Sequence, residues 1–104
     1  MVKVFNDINF PDEVIEASKE KPVLVDFFAV WCGPCQSQGP IIDEVAKEID
    51  DRGIVGKLNI DEAKKIAEDY NVMSVPTMIL FKDGKVAETV TGLQAKENLL
   101  ELFE

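Results

Sequence analysis

Val23-Leu24-Val25-Asp26-Phe27-Phe28-Ala29 runs without a break into Val30-Trp31-Cys32-Gly33-Pro34-Cys35. The first seven residues are apolar except for one acid and rich in branched and aromatic side chains, the composition of a strand buried on both faces. Such a strand belongs in the middle of a sheet. After Cys35 the apolar period changes: Ile41, Ile42, Val45, Ala46 and Ile49 fall at helical spacing, and Pro40 predicts a kink near the start of that helix. A buried strand passing through Cys-x-x-Cys into a helix opens a βαβ unit.

Working outward, Val2-Lys3-Val4-Phe5 alternates weakly as a short first strand, and Asn9-Phe10-Pro11-Asp12-Glu13 reads as a helix entry, the helix running to about Glu20. Downstream, Gly53 stops the second helix, Ile54–Ile60 reads as a strand, and Ile66, Ala67 and Tyr70 share one side of a short helix after Asp61. Two strands follow, Thr77–Phe81 and Lys85–Thr91, and the Asp83-Gly84 between them signals a tight antiparallel hairpin. A last helix from about Ala95 carries Leu99, Leu100 and Phe103 on its apolar side. Strands alternating with helices and closing on a hairpin predict an α/β fold, a mixed sheet with helices on both faces. With no linker, repeat or low-complexity tract, residues 1–104 read as a single domain.

Composition narrows the function. Twenty acidic against 11 basic residues give a formal charge of −9 with no basic run, which opposes phosphate backbones and anionic lipid and argues against a nucleic-acid partner. The longest apolar stretch, Phe27 to Cys32, is far short of the ~20 residues that span a bilayer. The N-terminal residues lack the pattern of a secretory signal, so no membrane partner and a cytoplasmic location are expected. The chain has no histidine, which removes Ser-His-Asp and Cys-His pairs and His metal sites together. It also lacks both glycine-rich phosphate loops, so no nucleotide cofactor is expected.

What remains is the cysteine pair. With Cys32 at the N-cap of the helix, Cys35 is the third helical residue and its amide can donate to the Cys32 sulfur. A thiolate at Cys32 meets the positive end of the helix, which lowers its pKa and marks it as the nucleophile. Gly33 and Pro34 fill the first turn, where the missing proline N–H costs little. Cys35, one turn further in, is placed to resolve a mixed disulfide. Two other readings stay open at this point. Structural zinc wants about four N/S ligands and finds only two here; a purely structural bridge closes so small a loop that it contributes roughly 2 kcal/mol before strain.

Trp31-Cys32-Gly33-Pro34-Cys35, preceded by Val25-Asp26-Phe27 and Ala29, closely resembles the active site of the thioredoxin family, and Ser74-Val75-Pro76-Thr77 is similar to its cis-proline turn. Lys57-Leu58-Asn59-Ile60-Asp61, Phe81-Lys82-Asp83-Gly84 and Gly92 extend the likeness over essentially the whole chain. The resemblance implies the thioredoxin fold, a central mixed five-stranded sheet flanked by four α-helices. It also implies reduction of protein disulfides by a monomer whose only redox group is the Cys32–Cys35 disulfide, re-reduced by a thioredoxin reductase, with no metal or other cofactor.

Asp26 in an apolar central strand should have a raised pKa, and the resemblance puts it beneath Cys35 as its base, tempered by Lys57. From pattern alone, a solvent-facing acid on an edge strand and an exposed lysine remain open. Trp31, Gly33, Pro34, Val75, Pro76 and Gly92 are the expected docking surface. A core aromatic at Trp31, a strand-start proline at Pro76 and a strand-ending Gly92 are the plainer alternatives. Gln36, Ser37, Gln38, Phe28 and Ser74 depart from the commoner family pattern. A neutral Gln36 predicts a less stabilised Cys32 thiolate, and polar Ser37 and Gln38 predict an altered docking rim. An oxidase or isomerase, or a binding module without turnover, are the competing functions.

Overall fold

A computed structural model describes residues 2–104 of the chain. Five strands form one sheet in the order β1-β3-β2-β4-β5: β1 Val2–Phe5, β2 Val23–Phe28, β3 Ile54–Asn59, β4 Thr77–Lys82 and β5 Lys85–Thr91. β1 and β2 run parallel to β3, whereas β4 runs antiparallel to both β2 and β5, so the sheet is mixed as the element order predicts. β2 lies at its centre, and residues 23–27 are all buried.

Strand alternation sends Val23, Val25 and Phe27 to one face and Leu24 and Asp26 to the other. The first set joins Phe5, Phe10, Val14, Leu58, Ile66 and Phe81 in one core. The second face packs Leu24, Met78 and Leu80 against Ile42, Val45, Ile49 and Leu99, which come from α1 Gly33–Ile49 and α3 Lys96–Leu102. Lys96 ties these two helices at the surface through Glu48 at 2.6 Å and Glu44 at 3.6 Å. α1 stays helical through Pro40, which has no N–H to give to the Gln36 carbonyl.

On the first face lie α2 Lys64–Asp69 and the N-terminal helical segment. That segment differs from the α-helix expected: it is wound as a π-helix over Pro11–Glu16 and a 3₁₀ turn over Ala17–Lys19. Phe10, Val14 and Ser18, spaced by four, are all buried along it. The β4–β5 hairpin turns at Asp83 and Gly84 with φ of 54° and 81°, the two positive values that a two-residue type I′ turn requires.

Candidate redox site

β2 delivers the site and α1 receives it. Beyond the strand Ala29 stays buried while Val30 and Trp31 come to the surface, and the Cys32 N–H donates to the Ala29 carbonyl at 3.2 Å. Cys32 then caps α1: its backbone is extended and its Sγ accepts the Cys35 N–H at 3.1 Å, the geometry that the spacing predicts. Gly33 and Pro34 are exposed in the first turn. The two sulfurs form a disulfide with Cα atoms 5.3 Å apart. Exposure does not separate the cysteines, at 5% for Cys32 and 6% for Cys35. Their surroundings do.

Cys32 lines an outer groove of about 420 Å³ whose walls include Trp31, Ile60, Met73 and Val75. The Val75–Pro76 peptide is cis, and the Val75 carbonyl oxygen lies 3.7 Å from the Cys32 sulfur, a contact without a proton while the disulfide is formed. Trp31 is a wall of the groove and not a core aromatic. It is 67% exposed and its Nε1–H donates to Asp61 Oδ2 at 2.8 Å, while the Asp61 N–H donates to Asn59 Oδ1 at 2.9 Å. Pro76 is buried and does not itself line the groove. Gly92 is tied to that turn, with φ of 87° just past β5 and its N–H donating to the Pro76 carbonyl at 2.8 Å.

Cys35 lines a separate inner cavity of about 270 Å³ together with Asp26, Phe28, Gln36 and Lys57. Asp26 is 3% exposed on the central strand, which rules out the edge-strand reading, and its Oδ1 has no hydrogen-bond partner. Burial pushes its carboxyl from 3.8 up to about 7, opposed by the positive charge of Lys57, its register partner on β3. Lys57 itself is exposed, with Nζ 5.6 Å from the centre of the Phe28 ring.

A family model described as Thioredoxin matches residues 1–104. The chain belongs to the thioredoxin family. It is 50% identical to "Thioredoxin" of Rickettsia typhi over 97% of this chain and 94% of that one. It is 45% identical to "Thioredoxin 1" of Synechococcus elongatus over 94% and 90%, and 45% identical to "Thioredoxin M-type, chloroplastic" of Spinacia oleracea over 99% and 56%. Like other thioredoxins it is a dithiol–disulfide oxidoreductase, and its redox-active group is the Cys32–Cys35 disulfide.

Two departures from the usual thioredoxin pattern fall elsewhere than expected. Gln38 is not on the docking rim. It is wholly buried, its amide bonded to the backbone of Gln94, because α1 turns position 38 inward on the stripe that holds Cys35 and Ile42. Gln36 is exposed but lines the cavity of Asp26 and Cys35 rather than the groove of Cys32, so its neutrality bears first on the inner side. Sequence reasoning also missed Ile60 and Met73 as groove walls. The available signal was two apolar residues flanking polar loops, Ile60 before Asp61 and Met73 before Ser74.

Proposed function

We propose that this single domain reduces disulfides of cytoplasmic proteins as a monomer, with Cys32 as nucleophile and Cys35 as resolving thiol. The observation that carries the reading is the division of surroundings: both hollows are open and largely apolar, but that of Cys32 adjoins the Val75 carbonyl and that of Cys35 holds a raised-pKa carboxyl. An extended segment of the substrate lies along the groove against Trp31, Gly33, Pro34 and the Val75–Pro76 backbone, with Gly92 at the edge of the same surface. The Cys32 thiolate attacks one substrate sulfur, the substrate S–S bond breaks, and the first thiolate leaves. Cys35 gives its proton to the Asp26 carboxylate, held near neutral pKa with Lys57 limiting the rise, and attacks the Cys32 sulfur. The second substrate thiolate leaves and takes up a proton. Two electrons have then passed to the substrate and the chain holds its own disulfide, which a thioredoxin reductase returns to the dithiol.

No helix of the described residues is long and apolar enough to cross a membrane, and none of them form a group of three or more His, Cys, Asp or Glu able to hold a metal ion. The charge of −9 opposes nucleic acid.

Cys35→Ser tests the cycle. Its serine cannot cleave the mixed disulfide, so cell extract should yield covalent complexes through Cys32 that vanish with dithiothreitol and are absent from Cys32→Ser. Partners that co-purify only non-covalently, and equally with both variants, would replace this reading by a binding module.

A further inference from the structure

Gln38 is the one wholly buried amide of α1, and both of its ends are used: Nε2 donates to the Gln94 carbonyl at 3.1 Å and Oε1 accepts the Gln94 N–H at 2.7 Å. A side-chain amide that satisfies both backbone groups of one residue across 56 positions of sequence fixes that residue in orientation as well as in place. Gln94 lies in the short loop Gly92-Leu93-Gln94-Ala95 between β5 and α3. Its other contacts are local: Gln94 Nε2 donates to the Thr91 carbonyl at 3.2 Å and Asn98 Nδ2 donates to Gln94 Oε1 at 3.4 Å. At its other end the loop holds the cis-proline turn through the bond from Gly92 to the Pro76 carbonyl.

These contacts close a ring around the disulfide. From Cys32 it passes to the Val75 carbonyl, through Pro76 to Gly92, along the loop to Gln94, across to Gln38, and up one turn of α1 to Cys35. The bonds from Gln38 are the ones that join the loop to the redox helix in this ring. We propose that Gln38 is a positioning residue for protein substrates: its amide locks the Gly92–Gln94 loop to α1, so that the Val75–Pro76 edge keeps its place beside Cys32. This rests on the docking role given above to that edge. A small disulfide needs only the sulfur and its helix end; an extended chain also needs the edge, so the two substrates respond differently to loss of the lock.

Gln38→Met keeps the length of the side chain and removes both bonds. With the dithiol form, KM for insulin should rise about fivefold at unchanged kcat, the size of effect that follows from losing a hydrogen bond or two. The rate with a small aromatic disulfide, dithionitrobenzoate, should stay within about twofold of wild type. Amide exchange at Gln94 and Gly92 should speed up by about tenfold, although Gly92 keeps its own acceptor. An unchanged KM for insulin alongside faster exchange at Gln94 would make the lock merely structural and overturn the proposal. Equal losses on both substrates would overturn it too, by placing the effect at the disulfide. Independently of any variant, an unprotected Gln94 amide in the wild-type chain would show that no lock exists. A wild-type chain that reduces the small disulfide but not insulin would sink the protein-reductase reading itself, and this proposal with it.

Discussion

On the Cys32 side of the disulfide the walls are Trp31, Ile60, Met73 and Val75; on the Cys35 side Asp26, Lys57 and Gln36 join Phe28, Ala29 and Val30, around a carboxyl with an unpartnered oxygen. The energies differ as much as the residues. The hydrogen bond from Trp31 to Asp61 is an ordinary surface interaction worth about 1 kcal/mol net. Raising Asp26 from 3.8 to about 7 disfavours its ionised form by roughly 4 kcal/mol, at 1.36 kcal/mol per unit. The groove is therefore built by shape at small cost, whereas the cavity holds a group whose charge the fold resists. Helix entry lets one bond serve both, because the capping Cys32 lies beside the Val75 carbonyl while Cys35 falls on the buried stripe of α1.

Asp26→Asn strikes the inner side alone, and the largest change is expected there. Release of the mixed disulfide near pH 7 should slow by at least about tenfold, while the first attack by Cys32 on a substrate stays close to wild type. Stopped-flow kinetics separates the two steps. Equal slowing of both would erase the distinction between the hollows.

The same substitution has a signature in stability. Folded Asp26 keeps its proton up to about pH 7, but the unfolded chain releases it above 3.8, so folding takes up a proton in that window. Wild-type stability from this group accordingly falls as pH rises from about 4 to about 7. Denaturant unfolding of Asp26→Asn should show a gain of up to about 4 kcal/mol at pH 8 that disappears near pH 4.

Gln36→Lys sharpens the comparison with a smaller effect. A cation at this exposed position on the inner cavity should lower the pKa of Asp26 more than that of Cys32, each by less than about one unit because solvent screens it. Titration of the Asp26 carboxyl by NMR and of thiolate absorbance compares the two. A larger shift at Cys32 would move residue 36 to the outer side.

Much of this was legible because it is local. The apolar run of β2, the Asp83-Gly84 turn and the capping cysteine each depend on a few adjacent residues, and each stands where the sequence placed it. Gln38 shows the limit. Its position falls on the buried stripe of Cys35, Ile42, Val45 and Ile49, so the spacing held its burial and the polar residue type concealed it. Contact between Pro76 and Gly92 was hidden for another reason. A regular hairpin from the Asp83-Gly84 turn would set Pro76 opposite Thr91, but an irregularity beside Leu80 and Phe81 gives β5 one extra residue and brings Gly92 there instead. Neither β4 nor β5 signals that extra residue in its composition. The π winding of the first helical segment was equally hidden, since the spacing of Phe10, Val14 and Ser18 fits an α-helix.

The assignment of different tasks to two equally buried sulfurs is tested most directly by alkylation. The reduced protein is treated briefly with iodoacetamide near pH 7 and its peptides are mapped. Label should fall on Cys32, whose thiolate is stabilised by the Cys35 N–H and the end of α1 and opens on the groove. Preferential label on Cys35 would contradict the division, since it would put the reactive thiolate in the cavity of Asp26 and leave the groove without a nucleophile.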